Sequence, residues 1–258
     1  MLIRQGIDHC ERWARQITPK TEGHLVNGRA GGQSRTKIWT DSPESSFCHG
    51  LSGLTALLVN NKEFFEKDRL ASLSVQEILI LAIDAKDHYT YKHSRRVASL
   101  SVALAECVGF HSQELEDLQL AALLHDVGKI GVPSELLLKH KIDERERGIL
   151  EKHATMSSEI IDYFQCASEE IAQVVRHHHE RIDGSGYPDQ LESANIPLAS
   201  RILAIADAWD AMTTNRPYRT ANSKQEAARQ LRAGKHAQFD DMLVDLFLVM
   251  MSSSLMVN

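Results

Sequence analysis

The segment SQELEDLQLAALLHDVG, residues 112–128, is the strongest single indication of how this chain folds. At about 100° per residue, an apolar stripe from Leu115 to Asp126 lies on one face of a helix, with His125 beside its end. A carboxylate buried there costs on the order of several kcal/mol unless a cation or hydrogen-bond donors satisfy it. The segment therefore predicts a core-facing helix, capped near Ser112, that ends in a metal-binding pair. A capping aspartate beside an unrelated histidine is the alternative.

Further helical patterns follow one another along the chain from Ser74 onward. Ser74 and Glu77, like Asp143 and Glu146, have the spacing of a capping box at the start of a helix. The segment SEEIAQVVRHHHE, residues 168–180, carries acidic residues in its first turn, where the helix dipole favours them. No segment shows the strict polar and apolar alternation of a strand. The chain is therefore predicted to be all-α, a bundle of packed helices.

The first part of the chain differs from the rest in composition. Residues 1–73 contain a stretch rich in glycine and serine and show no steady periodicity. We expect a small irregular N-terminal segment of unknown role, either a regulatory appendage or an arm that serves protein partners or self-association. Residues 74–258 are predicted to form one helical domain.

Charge and hydropathy restrict the partners of this chain. Its net charge of −6 over 258 residues provides no general basic field, so no DNA or RNA polymer is expected. No apolar run reaches the length of a membrane span, and no membrane partner is expected. The four cysteines are scattered without a C-x-x-C pair, which favours free thiols over a disulfide framework. Free thiols are typical of a reducing compartment, so a cytoplasmic location is expected.

Three consecutive histidines at 177–179 raise the question of which of them could bind a metal. If the helix continues through them, three consecutive residues span about 200° and cannot all reach one point. Val174 and Val175 mark the core direction, and His178 points almost along it. His179 lies about 90° off, and His177 lies further off on the other side. The pattern favours His178 and His179 as ligands. The alternative is an ordinary core histidine whose ring nitrogens form hydrogen bonds within the protein.

Two aspartates fall in an almost wholly apolar helical segment, RILAIADAWDAM, residues 201–212. Asp207 and Asp210 are three residues apart and share a face, so they need cations or hydrogen bonds. Several predicted helices thus each offer an inward histidine or aspartate. Imidazole with carboxylate suits first-row metals such as Fe, Mn or Zn. Two such metals about 3.5–4 Å apart form a usual site for hydrolysing phosphate esters.

The motifs HDVGK (125–129), HHERIDGSGYP (178–188) and RILAIADAWDAMTTNRPYR (201–219) together resemble the HD-GYP subfamily of HD-domain phosphohydrolases. AIDAKDHYTYKHSRRVA upstream and KIGVPSELLLK after the HD pair match the subfamily as well. The resemblance covers roughly residues 75–225, with the motifs in order and correctly spaced. It implies an HD-domain helical bundle with an additional C-terminal helical extension.

The resemblance also implies a role for individual residues. The implied metal ligands are His93, His125, Asp126, His153, His178, His179 and Asp207. Asp126 is expected to bridge two divalent transition-metal ions, Fe or Mn before Zn or Ni. Lys129 is expected to act with Asp126 in catalysis, by contacting the scissile phosphate or the attacking water. The implied substrate-binding residues are Gly186 and Tyr187 of the Gly-Tyr-Pro turn, Arg216 and Arg219 for the phosphates, and Asp210 to orient an arginine.

Some positions depart from the subfamily pattern. Some members bind a third metal through a glutamate four residues before the first histidine ligand, where this chain has Tyr89. Two metals are therefore expected, and the sequence leaves open whether the linear dinucleotide is cut further to GMP. Ala154 and Ser157 replace the usual Pro and Gly after the fourth ligand, which changes the surroundings of His153.

The function implied is that of a metal-dependent phosphodiesterase that opens cyclic-di-GMP to linear pGpG, which some members cut on to GMP. Other members cut 3′,3′ cyclic dinucleotides such as cyclic GMP-AMP, and the sequence leaves that choice open. Two further alternatives are a weakly active cyclic-di-GMP receptor and an HD phosphohydrolase acting on a mononucleotide or an alarmone. The complete ligand set disfavours the receptor, and the Gly-Tyr-Pro turn with its arginines disfavours the other hydrolase.

Overall fold

The structure, a computed structural model, describes residues 79–80, 88–139, 141–164, 168–215 and 220–253. These residues form helices and no β-strand, which confirms the all-α prediction. The α-helices, in chain order, are α1 (His88–Val108), α2 (Gln113–Leu124), α3 (Ser134–Leu137), α4 (Glu144–Phe164), α5 (Glu169–Arg176), α6 (Leu198–Thr213), α7 (Lys224–Ala233) and α8 (Asp241–Ser253). Short 3-10 helices cover Val127–Gly131 and Ser193–Asn195. None of the described helices is long and apolar enough to cross a bilayer.

The core is built around α1, which packs against α2 on one side and α6 on another. Helix α5 lies against both α2 and α4, while α8 closes the bundle over α1 and α6. Large apolar side chains from these helices are fully buried, among them Leu104, Leu118, Ile205 and Phe247. Each such side chain stabilises the fold by about 1.5–3 kcal/mol relative to an exposed position. The packing brings the ends of α2 and α5 and the middles of α1, α4 and α6 to one region of the bundle.

The predicted helix starts can be compared with the observed hydrogen bonds. Asp143 and Glu146 form a complete capping box, with bonds of 3.0 and 2.8 Å between each backbone N–H and the other side chain. The Ser168 hydroxyl accepts the N–H of Ile171, so that prediction also holds. Ser112 is the N-cap residue of α2, as predicted, but its side chain forms no capping hydrogen bond. The capping box at 74–77 and the domain boundary before it lie outside the described residues, although Leu79 and Ile80 just beyond are helical.

Two helices end earlier than their sequence patterns predict. Helix α5 stops at Arg176, so the three histidines lie in the turn that follows it. Helix α2 stops at Leu124, just before the predicted metal-binding pair. In both places a histidine ring donates to the carbonyl three residues earlier, His125 at 2.8 Å and His178 at 2.5 Å. A continuing helix would need that carbonyl for its own backbone, and here the side chain satisfies it instead.

The expectation of free, scattered thiols was wrong for Cys107, which is disulfide-bonded. Cysteine spacing along a chain does not show which thiols meet in the fold. The other three cysteines, Cys10, Cys48 and Cys166, lie outside the described residues.

Helix α8 supplies a test of the core. Phe247 is fully buried and its ring centroid lies 5.4 Å from that of Trp209 in an edge-to-face arrangement. We expect Phe247→Ala to lower the free energy of unfolding by about 3–5 kcal/mol, because it removes a large apolar side chain and leaves a cavity. Met242 on the same helix is 73% exposed, so Met242→Ala is a matched control with an expected change within about 0.5 kcal/mol. Denaturant unfolding of both variants would contradict this packing if the two changes were similar.

Candidate metal centre and cleft

Three buried histidines are held in the same orientation by the backbone. In His125, His153 and His178, Nδ1 bonds to the carbonyl three residues earlier, at 2.8, 2.6 and 2.5 Å. Because a carbonyl oxygen can only accept, Nδ1 must carry the proton and Nε2 keeps its lone pair. A fixed tautomer with a free Nε2 is the state in which histidine binds a metal.

These Nε2 atoms face one another and two carboxylates. These side chains form three groups, and within each group the potential ligand atoms lie within 4.8 Å of one another. Together the groups contain every ligand predicted from the sequence. The groups are His153 with His178 and His179, His93 with His125 and Asp207, and His125 with Asp126 and His178. The fold thus brings seven side chains from five helical regions into one buried cluster.

Asp126 connects the two sides of the cluster. Its Oδ2 lies 3.3 Å from Nε2 of His125, and its Oδ1 lies 3.5 Å from Nε2 of His153. The ammonium of Lys129 contacts Oδ2 at 2.6 Å. Burial alone would raise the pKa of Asp126, but the charge of Lys129 is the largest cause that holds it well below its usual range. The carboxylate is therefore ionised, with each oxygen turned toward a different histidine.

Three histidines of the cluster, His153, His178 and His179, are kept neutral. Burial and then the neighbouring histidine charges lower the pKa of His178 well below its usual value. The pKa of His179 falls to about 3, first through burial and then through His153. Burial also lowers the pKa of His153. Neutral imidazoles beside ionised carboxylates form a donor set that attracts a divalent cation.

The cluster contains polar atoms that a cation would satisfy. Among the described residues, Nε2 of His178 is buried without a hydrogen-bond partner. An unsatisfied buried polar atom costs about 1–3 kcal/mol. Nε2 of His179 and Nε2 of His153 are only 3.2 Å apart. At that distance two nitrogen lone pairs repel each other unless a proton or a shared cation lies between them. The residues present therefore fit a bound transition metal.

His93 is oriented by a carboxylate instead of a carbonyl. Its Nδ1 lies 2.7 Å from Asp210, and its Nε2 faces Asp207 at 3.1 Å. Burial would lower the pKa of His93, but hydrogen bonds with Asp207 and Asp210 raise it to about 9. Arg96 binds both oxygens of Asp210, at 2.5 and 2.9 Å. Among the described residues Asp210 therefore orients His93, a role that was not predicted.

The predicted contact of Asp210 with a phosphate-binding arginine stays a prediction. Both Arg216 and Arg219 lie outside the described residues.

Gly128 permits the close contact that brings α4 to Asp126. A Cβ atom at this position would lie 2.2 Å from the carbonyl oxygen of His153 and 2.6 Å from the N–H nitrogen of Ser157. The Gly128 N–H donates to the hydroxyl of Ser157 at 2.8 Å, and Ser157 is fully buried. The serine that departs from the subfamily pattern thus ties the helix carrying His153 to the turn carrying Asp126.

The Gly-Tyr-Pro turn is fastened to the end of α5. A Cβ on Gly186 would lie 2.4 Å from the backbone nitrogen of Arg181, so only glycine fits there. The buried carboxylate of Glu180 accepts the backbone N–H groups of Asp189 and Leu191, at 2.7 and 3.1 Å. Glu180 was not singled out from the sequence, although its place within HHERIDGSGYP could have indicated such a role. These bonds place Tyr187 beside His179, with ring centroids 4.9 Å apart.

His177 faces a different group from its two neighbours. Its Nε2 lies 2.8 Å from Asp189, which also receives Arg176 at 2.6 and 2.8 Å. His177, Glu180 and Asp189 come close enough to form a group of potential ligands. However, Asp189 is already neutralised by the Arg176 guanidinium. We therefore interpret this group as an ion-pair network that supports the turn, with His177 outside the main cluster as predicted.

A cleft of about 470 Å³ opens onto the cluster. Its lining includes His178, His179, Asp207 and Tyr187. Small side chains of α6, Ala204 and Ala208, form part of its wall. The volume is that of a typical small-molecule site, which is about 300–1,000 Å³.

Comparisons with known proteins agree with this geometry. An HD domain family model matches residues 77–243. A cyclic di-GMP phosphodiesterase from Thermotoga maritima is 35% identical over 72% of this chain and 51% of its own length. A 3'3'-cGAMP-specific phosphodiesterase 1 from Vibrio cholerae is 39% identical over 66% of this chain and 40% of its own length. The chain therefore spans about half or less of the length of these curated relatives.

A solved structure shares the fold at lower sequence identity. An HDG"Y"P protein from Bdellovibrio bacteriovorus superposes with a TM-score of 0.55 over 97% of this chain and 70% of that protein, at 16% identity. The family match covers well over half of the chain, and the curated relatives at about 35% identity are HD-GYP phosphodiesterases. The chain belongs to the HD domain family, among relatives that act on cyclic dinucleotides.

Proposed function

We propose that this chain is a metal-dependent phosphodiesterase that hydrolyses a cyclic dinucleotide, with cyclic-di-GMP opened to linear pGpG as the leading reaction. The observation that carries the proposal is the buried cluster of seven histidine and aspartate ligands joined through Asp126 and reached from a cleft. A relative at 35% identity is a cyclic di-GMP phosphodiesterase, and another at 39% identity is specific for 3'3'-cGAMP. Cyclic GMP-AMP is therefore the second candidate substrate.

The cluster divides naturally into two ligand sets. His93, His125 and Asp207 would hold one metal, and His153, His178 and His179 would hold the other, with Asp126 shared. When bound, divalent ions of the Fe or Mn type, or Zn or Ni, would polarise a phosphoryl oxygen and lower the pKa of a water so that it can attack at neutral pH. The phosphodiester would lie in the cleft, whose lining includes His178, His179 and Asp207.

Lys129 would act on the phosphate. Its ammonium is only partly buried and uses one donor on Asp126. Since an ammonium has three donors, the others remain available for a phosphoryl oxygen or for the attacking water. Lys129 would stabilise the negative charge that develops on the phosphoryl oxygens during attack.

The substrate would be held by groups at the edge of the cleft. Gly186 lets the backbone of the turn approach closely, and Tyr187 presents a ring on which a base could stack. Arg216 and Arg219 would bind the phosphates, for which a guanidinium fork has the right geometry.

Replacing Asp126 tests the proposed metal centre. We expect Asp126→Ala to lose metal and to reduce hydrolysis by roughly 1,000-fold or more, since it removes the shared ligand and the partner of Lys129. The measurements are elemental analysis of the purified protein and chromatography of cyclic-di-GMP after incubation. Glu116 is exposed on α2, so Glu116→Ala is a control that should match the wild type in both. An active Asp126→Ala protein without metal would refute the two-metal site.

Ser157 tests whether the contact between α4 and the turn supports metal binding. Ser157→Ala leaves the buried N–H of Gly128 without an acceptor, and we expect metal affinity to fall about 10- to 100-fold, as for other outer hydrogen-bond partners of metal ligands. Metal affinity would be measured by competition with a chelator. Ser101 is also fully buried but has no hydrogen-bond partner among the described residues, so Ser101→Ala is the matched control. Equal affinities in the two variants would contradict the role given to Ser157.

A further inference from the structure

Helix α4 places two charged side chains on the cleft beyond the metal ligands. Arg147 and Glu151 are four residues apart, so they lie on the same face of the helix, one turn from each other. Both line the cleft, together with His178, His179 and Tyr187. Glu151 is two residues before His153, so the helix that supplies a ligand also supplies part of the cleft wall.

Neither side chain has a partner within the described part of the chain. Other charged residues of α4 and its surroundings are paired, as Glu146 is with Lys139 and Arg176 is with Asp189. Arg147 and Glu151 form no hydrogen bond or salt bridge with a described residue, and they do not pair with each other. Two opposite charges facing a cleft without partners are available to a ligand.

Glu151 and Tyr187 line the same cleft. Ala204 and Ala208 occupy the wall on α6, where small side chains leave room for a flat group. The space between α4 and the Gly-Tyr-Pro turn is therefore suited to an aromatic base whose edge meets a carboxylate.

The chemistry of the purine edges determines which base fits a carboxylate. Guanine offers two donors side by side, N1–H and the 2-amino group, and a carboxylate accepts both. Adenine offers one donor and one acceptor on the same edge, so a carboxylate meets the adenine N1 lone pair with its own. A guanidinium in turn donates to guanine O6 and N7.

We propose that Glu151 is a specificity-determining residue that binds the Watson–Crick edge of a guanine in the substrate, with Arg147 on the O6 and N7 side or on the adjoining phosphate. This inference rests on the proposed function and adds to it the base requirement of the cleft. A substrate with at least one guanine satisfies Glu151, and a substrate with two adenines does not.

The Glu151→Gln variant provides a direct test. A glutamine amide presents one acceptor and one donor side by side, so it matches the adenine edge and mismatches the adjacent N1–H and 2-amino donors of guanine. We expect kcat/KM for cyclic-di-GMP to fall about tenfold or more, as for loss of a bidentate base contact, while kcat/KM for cyclic-di-AMP stays equal or rises. The ratio of the two substrates is the readout, because a general loss of folding or of metal would lower both together. An unchanged ratio would overturn the proposal.

Matched variants on the same helix separate the cleft from general charge effects. Glu144 and Arg145 are exposed on α4 and do not line the cleft, so Glu144→Gln and Arg145→Ala should leave the ratio unchanged. Arg147→Ala should raise KM for cyclic-di-GMP with a smaller effect on kcat. A shift of the substrate ratio in Glu144→Gln equal to that in Glu151→Gln would overturn the assignment to Glu151.

Binding measurements distinguish this inference from the proposed function. If the wild type hydrolyses none of the cyclic dinucleotides, the phosphodiesterase proposal fails, and calorimetry with cyclic-di-GMP and cyclic-di-AMP still tests the guanine contact. A preference for cyclic-di-GMP that is lost in Glu151→Gln supports the contact. The same affinities for both ligands in wild type and variant refute it.

Discussion

The burial of one ionised carboxylate, that of Asp126, is the constraint on which the site depends. A charge in the interior is costly unless cations or donors surround it. Here Lys129 donates to Asp126, and Nε2 of His125 and of His153 faces its oxygens, where a metal ion would complete its set of partners. Those residues come from the end of α2, the 3-10 turn and the middle of α4. The helices must therefore meet at this point, and Gly128 allows them to do so because it has no side chain. The all-helical packing and the metal-binding chemistry follow from the same requirement.

The same site is pre-organised by hydrogen bonds that do not touch the reacting atoms. Backbone carbonyls fix the tautomers of three histidines, and Asp210 with Arg96 fixes the fourth, His93. Each ring therefore presents Nε2 to the cluster without needing to reorient. Such outer contacts set the geometry and basicity of metal ligands. Hydrogen bonds of Glu180 and Asp189 likewise hold the Gly-Tyr-Pro turn beside the cluster.

The sequence predicted the helices and the members of the cluster well, and the connections between them poorly. Apolar periodicity identified α2 and α6, and the ordered motifs indicated the seven side chains that the fold brings together. The helical wheel separated His177 from His178 and His179, yet it assumed a helix that in fact ends at Arg176. Whether a histidine side chain bonds to a backbone carbonyl and ends the helix there depends on the tertiary packing around it, which a local sequence pattern does not reveal. For the same reason Ser157, the His93–Asp210 bond and the disulfide of Cys107 could not be derived from spacing.

The most direct test of the two-metal account is a metal titration of the chelator-treated wild-type protein, with cyclic-dinucleotide hydrolysis measured at each step. The account predicts no hydrolysis without metal and full hydrolysis only when about two equivalents of Fe or Mn are bound per chain, as two metals sharing one carboxylate require. Full hydrolysis by protein that holds no metal in the cluster would contradict it.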